Sequence, residues 1–383
     1  MAVLVAVFGT TVTGAGIYQS LLAIQIFGFT DGQLSIMLLI ALFVSVGTSV
    51  GVGIVTDQRP SRKVMALCAT GALTLGCASV WFLPSKLTFI LTHMIAMPLC
   101  GTLFGQIFAV TRLTSAHLPQ SDRDGVMAII RAAFALPFMA ILPIWGLVMQ
   151  SGVPMTTVYP VNTLLALSLV VMIVLWWPAD AQAPWTETKS ALNFRHSIAE
   201  MIYPPLLLRV MLIGIIHSGS AIAGVIIGLQ FAEVSVRAEA DTGLFFGALV
   251  AIEIVFTLLI GQFVRVLPRL LVIALGALTY SVFLFLFPFL LGSGWVWLLT
   301  IPAGIGGALV YALAIGYLQD QLGSRAGAGA SLTALQRLAS DGLSASIFAL
   351  GTEIAGYWLV GILAGVAMVV ATLGLLWVER GRT

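Results

Sequence analysis

Charged residues are scarce in this sequence of 383 amino acids. Lysine and arginine contribute 17 residues and aspartate and glutamate 15, which together make up 8% of the chain, against about 25% in an average soluble domain. Because soluble proteins need surface charge to stay dispersed, this scarcity argues against water as the main solvent. The net charge of +2, without basic stretches that carry interleaved aromatic residues, also excludes nucleic acid as a partner.

The residue types that build catalytic and metal sites are equally few. The three cysteines lie in apolar runs without metal-ligand spacing, and none of the four histidines has zinc-peptidase spacing. No lysine follows a glycine as in a phosphate-binding loop, which disfavours an ATP-driven pump. The Gly-Thr-Ser-Val-Gly stretch at residues 47–51 lies inside an apolar run rather than at a strand-to-helix turn. We therefore expect no enzymatic activity, no cofactor and no metal.

Long apolar runs dominate the chain, which is 60% hydrophobic. A helix needs about 20 apolar residues to cross the hydrocarbon of a bilayer, and the absence of period-two alternation argues against a barrel. The sequence predicts an all-α membrane protein with twelve transmembrane helices, arranged as an amino-terminal six-helix bundle (residues 1–177), a cytoplasmic linker (178–203) and a carboxyl-terminal six-helix bundle (204–383). The twelve runs cover roughly residues 2–27, 33–55, 64–83, 88–110, 126–149, 156–177, 205–230, 243–264, 270–291, 295–318, 329–352 and 355–378.

The positions of lysine and arginine predict the orientation, because positively charged loops stay in the cytoplasm. With the amino terminus inside, only Lys86 and Arg237 fall outside, and Arg131, Arg209 and Arg337 lie near the cytoplasmic starts of spans five, seven and eleven. We therefore expect both termini in the cytoplasm. The basic residues on the cytoplasmic side are then Arg59, Arg62, Lys63, Arg112, Arg123, Lys189, Arg195, Arg265, Arg269, Arg325, Arg380 and Arg382.

Equivalent loops of the two halves resemble each other, as in transporters built from structural repeats. The loop Gly53-Ile-Val-Thr-Asp-Gln-Arg-Pro-Ser-Arg-Lys63 follows span two, and Gly261-Gln-Phe-Val-Arg-Val-Leu-Pro-Arg269 follows span eight. The first loop resembles the signature of the major facilitator superfamily, from which it departs at Gln58, Pro60 and Ser61. That resemblance implies twelve helices and a cytoplasmic latch made of an acidic residue and flanking basic residues.

Five further stretches are informative, namely residues 15–19 (AGIYQ), 130–132 (IRA), 251–254 (AIEI), 317–320 (YLQD) and 325–328 (RAGA). They resemble the sugar efflux transporter branch of this superfamily. The branch implies outward transport of sugars or glycosides in exchange for protons, by a protein of the bacterial inner membrane. We expect a monomer in the lipid bilayer whose partners are protons and a small, polar, sugar-like substrate. The alternatives are a multidrug or amphiphile exporter of the same superfamily and a non-transporting membrane receptor or scaffold.

Polar residues inside apolar spans are the candidates for a substrate and proton pathway, because unpaired charge in hydrocarbon is costly. Glu253, near the centre of span eight, is the sharpest candidate for substrate and proton binding, and His217 in span seven is a second candidate for both. A fixed ion pair for Glu253 and a satisfied core histidine for His217 are the structural alternatives. A central cavity is expected of a transporter, whereas a scaffold predicts that Glu253 and Arg131 form a static pair.

Further substrate-binding candidates lie in spans one, five and ten. Tyr18 and Gln25 are seven residues apart and therefore on one face of a helix, with Gln19 turned away by about 100°. Amides beside an aromatic ring suit a polyol, although hydrogen bonds between helices explain them equally well. Arg131 in span five and Tyr311 in span ten complete the expected site.

Charges near the cytoplasmic surface are candidates for gating, by the resemblance to the superfamily latch. The spacing of Arg337 and Asp341 also allows a local ion pair. Small residues four apart, such as Gly47 and Gly51, or Gly361 and Gly365, indicate close helix packing. The predicted gating residues are Asp57, Arg59, Arg62, Lys63, Arg112, Arg337 and Asp341.

Overall fold

The structure is a computed structural model that describes residues 1–58, 61–115, 117–178, 204–320 and 329–380. Within these ranges the chain is almost entirely helical and contains no strand. Eleven helices are long and apolar enough to span a membrane. The twelfth, Gly329–Ile354, has 26 residues but a more polar sequence. The predicted all-α architecture of twelve transmembrane helices is confirmed.

The chain divides into two compact units. Unit 1 comprises Met1–Thr30 and Ile40–Ala191, and unit 2 comprises Asp31–Leu39 and Leu192–Thr383. The predicted linker lies outside the described residues from position 179 onward. The helices of the first half are α1 (Ala2–Ile26), α2 (Asp31–Gln58), α3 (Arg62–Phe82), α4 (Lys86–Thr114), α5 (Gln120–Gln150) and α6 (Val158–Trp176).

The helices of the second half belong to unit 2, together with the first residues of α2. Short connections, such as the one around Gly356 with its φ of +87°, separate consecutive helices. Glycine is suited to that position because a positive φ carries no steric cost without a Cβ atom. These helices are α7 (Pro204–Ala232), α8 (Glu239–Val266), α9 (Arg269–Leu290), α10 (Thr300–Asp320), α11 (Gly329–Ile354) and α12 (Tyr357–Val378).

The two units repeat the same pattern of helix packing. In unit 1, α1 packs against α5 and α6, and α3 packs against α4 and α6. In unit 2, α7 packs against α11 and α12, and α9 packs against α10 and α12. These four contacts of the first half thus recur six helices later, as expected for a transporter fold made of structural repeats. The packing of α8 on α10, by contrast, has no equally extensive counterpart between α2 and α4 among the described residues.

Two helices of unit 1 contain a π-helical turn. In α1 the α-helix ends at Ile17, and after a turn at Tyr18 and a short α-helical piece the residues Leu22–Ile26 form a π turn. In α4 the residues Thr92–Ala96 form the second π turn. A π turn accommodates one extra residue and therefore rotates everything that follows it relative to a regular α-helix.

Glycines of α10 allow two neighbouring helices to approach it closely. A Cβ atom on Gly304 would lie 2.7 Å from the carbonyl oxygen of Leu249 in α8, and one on Gly306 would lie 2.6 Å from that of Gly276 in α9. Real Cβ atoms do not tolerate such distances, so the missing side chains are a condition of this packing. As a result, α8 and α9 bring polar side chains to the same stretch of α10.

The predicted role of paired glycines in packing is only partly correct. Gly361 and Gly365 of α12 do contact α9, because Cβ atoms added there would lie 3.4 Å from the carbonyl oxygen of Leu284 and 2.7 Å from the ring of Phe285. A Cβ atom on Gly47, Gly51, Gly101, Gly105 or Gly224 would meet no described atom within 4 Å.

Candidate functional site

A chain of hydrogen bonds joins α7 and α10 in unit 2. The Ser220 hydroxyl donates to the carbonyl oxygen of His217 at 2.8 Å and is also hydrogen-bonded to the Tyr311 hydroxyl. Because the single Ser220 proton points to the carbonyl, the Tyr311 hydroxyl is the donor in the second bond. The Tyr311 oxygen therefore keeps its acceptor positions for another group.

His217 packs against the ring of Tyr311, next to these hydrogen bonds. Its ring lies edge-on to that of Tyr311, with a centroid distance of 5.1 Å. Its Nδ1 is 2.9 Å from the carbonyl oxygen of Ile213, one turn earlier in α7. Since a carbonyl oxygen only accepts hydrogen bonds, Nδ1 carries the proton and Nε2 is the acceptor of the neutral ring. His217 is buried, whereas Tyr311 is 42% exposed.

Glu253 of α8 approaches the same stretch of α10 from the other side. A Cβ atom added to Gly307 would lie 3.5 Å from Oε2 of Glu253 and 3.8 Å from Cε2 of the buried Tyr280 in α9. The carboxyl group also interacts electrostatically with both Tyr280 and Tyr311. Among the described residues, no basic side chain forms an ion pair with Glu253.

A small cavity lies between these helices. It contains about 180 Å³ of space free of atoms, part of which is open to solvent. The space that a water molecule can enter is only about 10 Å³, which is room for about one water, so a sugar would fit only after the cavity has widened. Its lining residues are Ile216, Ser220, Tyr280, Gly306, Gly307, Val310, Tyr311 and Met368.

Two charged residues of α11 are close to this cluster. Tyr311 interacts electrostatically with Asp341 and Arg337, which also interact with each other. Arg337 is exposed and Asp341 is half-buried. Both are predicted gating residues, and their charges act on the part of α10 that carries Tyr311.

The candidates in α1 do not share a face. Tyr18 is fully buried, Gln19 is half-buried and Gln25 is exposed. The prediction that Tyr18 and Gln25 lie on one face is wrong because it assumed a regular helix, whereas the turn at Tyr18 and the π turn at Leu22–Ile26 rotate the later residue. Thr11, seven residues before Tyr18, is buried and donates to the carbonyl oxygen of Phe8 at 2.7 Å.

Arg131 and the basic residues of the predicted latch lie in unit 1. The side chains of Arg131 and Arg112 are exposed. The Arg62 guanidinium donates to Oε1 of Gln106 at 3.1 Å. The ammonium group of Lys63 donates to two carbonyl oxygens at the carboxyl end of α6, those of Val174 and Trp177, each at 2.9 Å. Arg59 and the side chain of Asp57 lie outside the described residues.

A buried ion pair that sequence reasoning missed connects the two ends of the second half. Nε of Arg209, near the start of α7, donates to Oε1 of Glu379, which follows the last residue of α12. The Tyr317 hydroxyl donates to the same oxygen at 3.1 Å, and Arg209 Nη1 donates to the carbonyl oxygen of Pro205 at 2.8 Å. The pairing of residues 170 positions apart carries no local sequence signal.

A second missed cluster lies at the opposite ends of the unit 2 helices. The Tyr357 hydroxyl donates to Oδ1 of Asp31 at 2.7 Å, and Gln230 Nε2 donates to the Tyr357 carbonyl oxygen at 2.8 Å. Glu233, in the loop after α7, is close to Asp31. Partial burial and the neighbouring Asp31 carboxylate raise the pKa of Glu233.

A third missed pair lies in the core of unit 1. His93, in the π turn of α4, is hydrogen-bonded through Nε2 to the Tyr159 hydroxyl of α6 at 3.0 Å, and its ring stacks on Phe89. Both partners are buried, and Asn162 of α6 donates to the carbonyl oxygen of Thr11 at 2.9 Å. These side chains hold helices of one unit together through hydrogen bonds.

Twelve membrane-spanning helices, a repeated packing pattern and a half-buried carboxyl group beside a cavity define a membrane transport protein. The sequence profile of the Major Facilitator Superfamily matches residues 1–345. The chain therefore belongs to the Major Facilitator Superfamily, and it is a transporter rather than an enzyme.

Individual relatives are more distant. The chain is 26% identical over 135 residues to a Deinococcus radiodurans protein described as "Putative sugar efflux transporter", and the match covers 35% of each chain. Two solved structures match nearly the whole fold. The nucleoside transporter NupG matches with a TM-score of 0.76 at 12% identity, covering 99% of this chain and 97% of the other. The Escherichia coli fucose:proton symporter FucP matches with a TM-score of 0.63 at 13% identity, covering 99% and 98%.

Proposed function

We propose that this transporter exports sugars or glycosides in exchange for protons. It lies in the plasma membrane, the inner membrane in a bacterium, with both termini in the cytoplasm. The observation that carries the proposal is the position of Glu253, whose carboxyl group lies beside the Tyr311–Ser220 hydroxyl chain and has no ion-pair partner among the described residues.

The hydrogen-bonding groups of the cluster suit a polyol. Tyr311 offers acceptor positions on its exposed hydroxyl, and the ionised Glu253 accepts hydrogen bonds from sugar hydroxyls. The tyrosine rings provide flat apolar surfaces beside these groups, which is the combination found in pockets for small polar ligands. An amphiphile needs fewer hydrogen-bonding partners, so the cluster favours the polar substrate.

Glu253 can couple transport to protons because it is held in a half-buried site without a fixed counter-charge. Substrate hydroxyls bind best to the ionised carboxylate, and protonation removes both that charge and one acceptor position. Proton and substrate then compete for the same group, which is the requirement for exchange. The widening of the cavity needed to admit a sugar accompanies the change between the two access states.

The orientation and the substrate class have separate support. Twelve lysine and arginine residues fall on the proposed cytoplasmic side and two on the other. Sugar export agrees with the description of the Deinococcus relative. The predicted roles of Tyr18, Gln19, Gln25 and Arg131 in unit 1 remain part of the proposal as the substrate-binding contribution of the amino-terminal half.

The test is transport by purified protein in liposomes with an imposed pH gradient. Wild-type protein should move a labelled sugar against the proton flux, and Glu253→Gln should lose the response to the pH gradient while retaining counterflow of the same sugar. Glu353→Gln, which changes an exposed glutamate of the same unit, is the matched control and should behave as wild type.

Unchanged pH-driven transport by Glu253→Gln would remove Glu253 from the coupling role. A substrate panel of labelled lactose, glucose, uridine and the dye ethidium separates the remaining possibilities. Transport of ethidium without any sugar would establish the amphiphile exporter instead.

A further inference from the structure

The three glycines of α10 near the cavity have different surroundings. Added Cβ atoms would clash with the backbone of neighbouring helices at Gly304 and Gly306, so helix packing alone requires these two glycines. At Gly307 the nearest atoms, in Glu253 and Tyr280, would be 3.5 Å and 3.8 Å away, which is ordinary van der Waals contact. Packing therefore does not require a glycine at position 307.

The space left by the missing side chain of Gly307 has chemically distinct walls. The Glu253 carboxyl group lies on one side and the Tyr280 ring on another, and the space continues into the cavity lined by Tyr311 and Ser220. Because a Cβ atom lies ~1.5 Å from its Cα, the Gly307 Cα and Glu253 Oε2 are no more than about 5 Å apart. A substrate oxygen can therefore contact the Gly307 Cα at ~3.3 Å and at the same time lie ~2.7 Å from Oε2, the length of an O–H···O bond. A Cβ atom on residue 307 would overlap that oxygen.

We propose that Gly307 is a specificity-determining residue, whose missing side chain leaves room for one substrate hydroxyl group to donate a hydrogen bond to Glu253. This inference rests on the proposed sugar transport and adds to it the position that selects among sugars. A methyl group at residue 307 would occupy the place of that hydroxyl without disturbing the fold. It would therefore penalise a sugar that has the hydroxyl and spare the analogue that lacks it.

The first experiment asks whether the space is open to the cavity and needs no substrate. Gly307→Cys is made in a Cys68→Ser background, because Cys68 is the exposed one of the three cysteines. It is treated with a small methanethiosulfonate reagent and compared with Ala308→Cys, a position of the same helix that is buried like Gly307 but does not line the cavity. We expect labelling of Gly307→Cys to be at least tenfold faster. Equal labelling of the two variants would overturn the inference.

The second experiment measures binding of glucose, lactose and the singly deoxygenated glucose analogues to wild type and to Gly307→Ala. A lost hydrogen bond to a charged group corresponds to an affinity loss of about tenfold or more. We expect that loss for the parent sugar and less than about twofold for one deoxy analogue. Equal losses for the parent and every analogue would overturn the role in specificity. Gly224→Ala, at an open position of α7, is the control and should bind as wild type.

The coupling role of Glu253 and the specificity role of Gly307 can be tested separately. If Gly307→Ala changes the selectivity but Glu253→Gln keeps its pH-driven transport, only the proposed coupling is wrong. If Glu253→Gln is uncoupled but Gly307→Ala has wild-type selectivity, only the role of Gly307 is wrong. A wild-type protein that binds none of the sugars contradicts the sugar assignment and the hydroxyl role together.

Discussion

The buried ion pair between Arg209 and Glu379 allows a quantitative test of how the second half is held together. The two side chains are 5% and 8% exposed. Removing one partner of a buried pair leaves the other charge without compensation, which costs ~3–5 kcal/mol. We therefore expect Glu379→Leu to destabilise the protein by about this amount, since the buried Arg209 then loses its counter-charge.

Replacing both charges should restore most of the lost stability. An apolar pair of similar volume is often as stable as the ion pair that it replaces. Arg209→Met combined with Glu379→Leu is therefore expected within ~1 kcal/mol of wild type. Tyr317→Phe keeps the ion pair and loses one hydrogen bond to the carboxylate, for an expected cost of ~1 kcal/mol.

The assay is thermal unfolding of the detergent-solubilised protein, followed by intrinsic fluorescence at a fixed heating rate. With ~2 °C per kcal/mol for a large chain, the single variant should unfold on the order of 5–10 °C below wild type. The decisive comparison is between the single and the double variant. If Glu379→Leu unfolds at the temperature of the double variant, the two charges are solvated and the reasoning is refuted.

Three smaller perturbations test other contacts. Lys63→Met removes both hydrogen bonds to the end of α6 and should lower the unfolding temperature, whereas Lys63→Arg should unfold close to the wild-type temperature. Equal unfolding temperatures of the two variants would contradict a specific contact. Tyr357→Phe removes the bond to Asp31 and should cost ~1 kcal/mol at pH 7, a loss that should vanish in an Asp31→Asn background if the bond is the cause. Glu233 has a raised pKa in the folded protein, so the native state holds its proton more tightly and stability falls as pH rises above 4.5; Glu233→Gln should abolish that part of the pH dependence, and an unchanged pH profile would contradict the assigned cause.

The helices themselves could be predicted because span length and hydrophobicity are local properties of the chain. The twelve apolar runs match the twelve helices to within a few residues, apart from longer ends such as Gln120 at the start of α5. The membrane imposes this regularity, since each backbone polar group in hydrocarbon must be satisfied within the helix. The predicted cluster of Glu253, His217 and Tyr311 also came from a local property, the cost of polar groups in apolar spans.

The neighbours of these residues could not be predicted, because periodicity specifies faces but not which faces meet. Tyr280 reaches the site only because Gly276 and Gly306 let α9 and α10 approach closely. Nothing in the sequence distinguishes these two packed glycines from Gly224, whose position is open. The Arg209–Glu379 pair depends on α7 meeting α12. Because the sequence does not show that these two helices meet, it assigns Arg209 only a role in the membrane orientation of the chain.

The π turn in α1 places Gln25 about one residue out of register with Tyr18 and Gln19, which precede the turn. A single deletion within Leu22–Ile26 would return the segment to 3.6 residues per turn and swing Gln25 by about 100°. A point substitution in α1 changes the chemical group at one position. Gain or loss of one residue in the turn instead changes the direction in which the side chains after the turn point. The length of this turn therefore determines which way Gln25 faces, independently of the side chains that the rest of α1 carries.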